Sequence, residues 1–112
     1  MKQRAMTVLL SIKPEFAEKI FDGTKKYEFR KSIFKNADVK TVIVYASSPV
    51  QRVIGEFTID RILNDDLSTI WNETERYAGI THALYMSYFA NKEKAYAINI
   101  REAKRYARER RL

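Results

Sequence analysis

The chain has 112 residues, no cysteine, a hydrophobic fraction of 46% and a formal charge of +7, from 21 lysines and arginines against 14 aspartates and glutamates. That length holds one domain, whose core removes roughly two thirds of the unfolded surface from water without a disulfide or metal staple. The lack of cysteine excludes thiolate zinc sites, disulfide frameworks and cysteine catalysis, and no apolar run approaches the roughly 18 residues of a membrane span, so a soluble cytoplasmic protein is expected.

At the start, Lys2 and Arg4 precede a short apolar run that Lys13 and Pro14 interrupt, a poor match to a secretory signal. Residues 6–12, rich in β-branched and apolar side chains, predict a strand. Pro14 suits the first turn of a helix, and Phe16, Ala17, Ile20 and Phe21 recur at helical spacing with Glu15, Glu18 and Lys19 opposite. Asp22 and Gly23 end that helix, the glycine in a left-handed cap. Residues 25–31 alternate, with Tyr27 and Phe29 on one face and Lys26, Glu28 and Arg30 on the other. Residues 32–40 are polar and predict a loop, 41–46 a strand, and Ser47-Ser48-Pro49 a turn. Residues 51–63 form a long strand pattern in which Gly55 marks a bulge of the kind that closes small barrels.

Asn64, Asp65 or Asp66 can cap a helix with Leu67, Ile70, Trp71 and Tyr77 on its apolar face, interrupted at Gly79. Thr81 can cap a second helix through His82, Leu84, Tyr85, Tyr88 and Phe89, closed by Asn91. Residues 94–100 alternate as a last strand. Residues 101–112 hold six cations and two anions, more than half of the net charge. They have helical propensity and little apolar surface. The expected organisation is a domain over residues 1–100 followed by a basic tail over 101–112, helical or mobile, that attracts polyanions without specificity. About five strands with flanking helices predict an α+β fold with a mixed, partly closed sheet.

Few residues stand out as chemistry. His82 is the only histidine. It lacks both a nucleophile elbow and a partner histidine, so neither a catalytic triad nor a metal site is expected. Trp71, Tyr85, Tyr88 and Phe89 are explained as core by their helical spacing. The segment from Gly23 to Lys31 differs. A glycine turn leads directly into a strand with Glu28 and Arg30 two apart on one face, close enough to pair. Lys25 falls on the opposite parity unless the turn rotates it toward them. The same charges would also protect an edge strand from unwanted pairing.

Gly23-x-Lys25-x-x-Glu28-x-Arg30 resembles the G-x-K-x-x-E-x-R signature of the ASCH domain, a branch of the PUA-like superfold. Ser11-Ile-Lys-Pro14, Val53-Ile-Gly-Glu-Phe57, Tyr88-Phe89 and Ala95-Tyr-Ala-Ile98 resemble further segments of that family, so the likeness spans roughly residues 6–100. The chain is similar to small prokaryotic members described as predicted transcriptional regulators. The resemblance implies a small PUA-like β-barrel with a cleft beside the first helix, lined by the motif. It implies binding of RNA or a modified nucleotide, in transcription regulation or RNA metabolism. It also implies an alternative, an enzyme: an amidohydrolase acting on N4-acylated cytidine, whose working lysine matches Lys25 and whose threonine falls at Glu28, or a ribonuclease. Lys25 would then be nucleophile or base and Glu28 or Glu56 a proton shuttle. A third reading is a regulatory domain that binds a small ligand in the cleft.

Binding fits the residues best. Lys13, Lys25 and Arg30 can hold a phosphate or a base carbonyl, and Glu28 can accept from a base amino group. Tyr45 and Ser47 can supply stacking and a hydrogen bond at the rim. Neither a metal nor a cofactor is expected, and the oligomeric state is left open.

Overall fold

In a computed structural model of the chain, residues 6–112 are described. Strand β1 (Met6–Ile12) leads into helix α1 (Pro14–Phe21), strand β2 (Tyr27–Arg30), strand β3 (Val39–Ala46) and the long strand β4 (Arg52–Asp66). Helix α2 (Leu67–Thr74) runs into a 3-10 turn at Glu75–Tyr77, and helix α3 (His82–Tyr88) precedes strand β5 (Lys94–Arg110). The five strands form one mixed sheet in the order β1-β3-β4-β5-β2. Only the β1–β3 pair is parallel. The α+β class follows, with five strands and three helices among the described residues.

Local chemistry accounts for most boundaries. Pro14 occupies the first turn of α1, where its missing N–H costs nothing, and Ala17 and Ile20 form the buried face. Gly23 follows with φ +87°, the left-handed conformation that favours glycine. Asp66 caps α2 by accepting from the Thr69 N–H at 2.8 Å, and Thr81 caps α3 by accepting from the Leu84 N–H at 3.1 Å. Gly55 lies at a register shift between β4 and β5, as a bulge requires. A Cβ there would meet the Lys104 carbonyl oxygen and the Phe21 ring, each at 2.5 Å, so the bulge lets α1 and β5 close on β4.

Two cores result. One joins Ala17 and Ile20 of α1 to Val42, Val44, Ile54, Phe57 and Ile98 on the sheet. The other joins Phe29, Ala95 and Ala97 to Ile70, Tyr85 and Phe89 of the helical insertion. Tyr85 is fully buried, meets Phe29 edge-on at 5.3 Å between centroids, and donates its hydroxyl to the Leu67 carbonyl at 2.7 Å. Large side chains buried this way contribute about 1.5–3 kcal/mol each, and they fix α3 against α2 and the sheet. The two helices are therefore part of the core, and no helix among the described residues is long and apolar enough to cross a membrane.

One expectation is corrected. Residues 101–110 are neither helical nor a mobile tail: they continue β5, with Glu102, Ala103, Lys104 and Arg105 opposite Thr58, Phe57, Glu56 and Gly55. Non-local pairing overrides helical propensity, because the first half of β4 otherwise lacks a partner on that side. The expected mixed, partly closed sheet is found, and it approximates a barrel without closing its ladder. β1 and β2 are the two edges of the sheet, and the Arg30 side chain spans from one to the other: its guanidinium donates to the Ser11 carbonyl at 3.3 Å. The polar segment 32–40 is shorter than expected, since β3 begins at Val39, and β4 runs on to Asp66.

Candidate functional site

The gap between the two edge strands is also where the charged motif lies. The turn at Gly23 does rotate Lys25 inward. Its backbone N–H donates to the Lys19 carbonyl at 3.0 Å, and the side chain enters the space between α1, β2 and the start of α3. Lys26 goes the other way, its ammonium 4.6 Å from the Tyr77 ring centroid. Strand alternation then places Glu28 and Arg30 on the side where Lys25 sits.

Together these walls enclose a half-open cavity of about 330 Å³. Lys13, Lys25, Glu28 and Arg30 line it, with Ser11, Glu15 and Ser87 as further polar groups and Phe16, Phe29, Ile80, Leu84 and Tyr88 as apolar wall. Lys25 is 2% exposed. Its Nζ donates to the Ala78 carbonyl at 2.6 Å and lies 4.8 Å from the Phe29 ring centroid and 5.4 Å from that of Phe16. Gly79, with φ +69°, makes room for its stem: a Cβ at Gly79 would stand 2.5 Å from the Lys25 Cβ and Cγ. Glu28 is 7% exposed and pairs through Oε2 with the Arg30 Nη1 at 3.2 Å.

Burial dominates the electrostatics. It pushes the Lys25 ammonium down from 10.5 to about 8, against the pull of Glu28, while Lys19 adds to the fall. Burial likewise raises the Glu28 carboxyl above its usual value, with Lys25 and Arg30 opposing. The site thus holds two groups whose affinities for a proton approach each other from opposite ends, with a fixed arginine between the strands. Such a site can bind an anion, accept a hydrogen bond from a base, or move a proton near neutrality.

Of the residues singled out in the sequence, Lys13, Lys25, Glu28 and Arg30 converge on the cavity, and Tyr45 and Ser47 do not line it. The Ser47 N–H donates instead to the Ile12 carbonyl at 2.9 Å, closing the β1–β3 end. Tyr45 sits on β3, two strands from β5 and opposite Ser11 of β1. Glu56 is also elsewhere, accepting from the Tyr106 hydroxyl at 2.9 Å. Tyr88, expected in the core, is 39% exposed and forms cavity wall with Leu84 and Ser87. Their spacing of three and four residues is the signal that puts them on one helix face; it does not say whether that face meets core or cleft.

Comparison with known proteins agrees with this architecture. Residues 10–104 match the family model of the ASCH domain. An ASCH domain-containing ribonuclease of Zymomonas mobilis is 36% identical over 94 residues, 84% of this chain and 64% of that protein. The chain thus spans less than two thirds of that relative. A large ribosomal subunit protein uL22 of Ureaplasma parvum is 29% identical over 100 residues, which cover 89% of this chain and 32% of that one. The crystal structure of ASCH from Zymomonas mobilis superposes with a TM-score of 0.85 at 34% identity, covering 93% of this chain and 72% of its own. A family match over most of the chain, with the motif placed around one cavity, makes this chain a member of the ASCH domain family.

Proposed function

We propose that the cleft holds a nucleotide of single-stranded RNA, so that the protein acts in RNA metabolism, within the cytoplasm. The observation that carries this is the convergence of Lys13, Lys25 and Arg30 with one buried carboxylate on a cavity of about 330 Å³ whose remaining wall is mainly apolar, with Ser11, Glu15 and Ser87 as its other polar groups. Apolar walls suit a base, Arg30 and Lys13 suit a phosphate, and Glu28 suits an amino edge. A modified base would occupy the same walls, and transcription control is one use such binding would serve. The test is anisotropy of a short labelled RNA at low and high salt. Affinity should fall steeply with salt, and Arg30→Ala should weaken it about tenfold, the value of one charge-assisted contact. No binding at low salt refutes the proposal.

A second reading, RNA cleavage, is favoured by the ribonuclease relative and by the lowered Lys25. A lysine that titrates at about 8 can take a proton from a ribose hydroxyl, and Glu28 can return one. The readings differ in pH dependence. Phosphate binding through charged Lys25 weakens as pH rises through about 8, whereas cleavage with Lys25 as base rises over the same window. Cleavage unaffected by Lys25→Ala would reject the base assignment.

A further inference from the structure

The face of the sheet away from the first core carries, beyond the part that the second core covers, two rows of side chains. Ser11, Tyr45, Val53 and Arg110 lie opposite one another on β1, β3, β4 and β5. Leu9, Ile43, Glu56 and Lys104 form a second row, which on β5 lies six residues from Arg110 across the register shift between Val53 and Gly55. Residues opposite each other on adjacent strands share a face. None of the apolar members, Leu9, Ile43, Tyr45 and Val53, belongs to either core cluster. Val53 is nevertheless only 7% exposed, and Leu9 is 46% exposed. Tyr106 joins the surface through its hydrogen bond to Glu56, and the Arg110 guanidinium stands 5.1 Å from its ring centroid. Arg108 is exposed on the same end of β5.

This surface carries the half-buried Tyr45 in its middle and Tyr106 with the cations at one end, and its other end is Ser11, which lines the cleft and receives the Arg30 hydrogen bond. Three interstrand steps of about 4.8 Å separate Ser11 from Arg110, so the cleft and the cationic end are about 14 Å apart across an open sheet. Stacking aromatics with flanking cations are what a sequence-tolerant single-stranded nucleic-acid surface requires.

We propose that an RNA strand with one nucleotide in the cleft continues across this open face from Ser11 over Tyr45 toward Tyr106, Lys104, Arg108 and Arg110. This rests on the RNA reading of the cleft and extends it to a second, sequence-independent contact surface. Tyr45 and Tyr106 stack bases, and the β5 cations hold phosphates. Duplex RNA, whose bases are already stacked, has no use for the aromatics.

The test compares a trinucleotide with a single strand of about 12 nucleotides, a length within the usual range for such surfaces. The longer strand should bind more tightly and with a steeper salt dependence. Lys104→Gln/Arg108→Gln/Arg110→Gln should make that slope shallower by about 2, from roughly 0.7 per lost phosphate contact on a single strand. It should leave trinucleotide binding unchanged. Tyr45→Ala should lose about tenfold on the longer strand and Tyr45→Phe little. Circular dichroism of each variant establishes that it folds. Equal affinity for both lengths, or an unchanged slope in the triple variant, overturns the extended surface while the cleft reading stands. Duplex binding as tight as single-strand binding overturns the stacking role. Absence of binding to either length refutes both proposals together.

Discussion

An ammonium held almost out of contact with solvent lowers the stability of the protein that holds it. Lys25 is 2% exposed and titrates at about 8 in place of 10.5. At neutral pH that difference corresponds to about 3 kcal/mol against the folded state. Between about 8 and 10.5 the unfolded chain binds more protons at this position than the folded one, so stability rises with pH across that window. The cost is fully present below it. Glu28 acts with the opposite sign: its raised value disfavours the folded state once the carboxyl ionises, and the cost is relieved as pH falls. Lys25→Met keeps the stem against Gly79, Phe16 and Phe29 and removes the charge. It also removes the bond to the Ala78 carbonyl, a loss of about 1 kcal/mol. The variant should therefore be about 1–2 kcal/mol more stable than the parent in urea at neutral pH, while RNA affinity drops. The gap should narrow at a pH well above about 8, where Lys25 of the parent is already neutral. A variant that is less stable at neutral pH, or a gap that does not narrow, would show that Lys25 is held for structure.

Elements place these residues, and α3 is the one most directly tied to both core and cleft. Its inner face carries Tyr85 into the second core, while Leu84, Ser87 and Tyr88 form cavity wall. Thr81 starts it at the right residue. Thr81→Ala should cost about 1 kcal/mol by urea unfolding and loosen the wall enough to weaken RNA binding, whereas Thr81→Ser should restore both. Loss of stability with unchanged binding would mean that the Tyr85 contacts alone hold the wall in place. The same helix shows where local pattern stops being informative. Caps, helix faces and strand alternation are written in adjacent residues, so Pro14, Gly23, Thr81 and the alternation of residues 25–31 are legible without a structure. The cluster of Lys25, Glu28 and Arg30 is legible for the same reason, all three falling within six residues. Tyr88 and Tyr45 were not. Each has the character of a buried or a rim residue, and what decides is the element across from it, here the open gap beside β2 for one and a half-covered sheet face for the other.

At the scale of the molecule, the chain's last segment was the least legible part. Arg101 to Arg110 hold strong cations and few apolar groups, and nothing local says strand. The instruction comes from β4, whose first half needs a partner 46 residues later in the chain, counting from Phe57 to Ala103. Once paired, the segment is bound on both faces: Arg105 forms an ion pair with Glu18 of α1, and Tyr106 bonds Glu56. It follows that removing residues 101–112 should not leave an intact domain. The truncation strips the pairing partners of Gly55, Glu56, Phe57 and Thr58 and opens the edge of β4 to water beside the first core. Several ladder hydrogen bonds at about 1 kcal/mol each, with the apolar surface newly exposed around Phe57, together approach the 5–15 kcal/mol that holds a domain of this kind folded. The truncated chain should therefore lose its cooperative urea transition or show it at a much lower midpoint, and cleft binding should fall with the fold, although the β5 residues 96–99 that pair with β2 beside Glu28 and Arg30 are retained. Circular dichroism and urea unfolding of residues 1–100 decide the matter: a midpoint equal to that of the full chain would restore the view of a domain with a dispensable tail. The triple substitution of Lys104, Arg108 and Arg110 separates the two roles of the segment, because it removes charge and keeps the ladder, so it should cost affinity for long RNA and little stability.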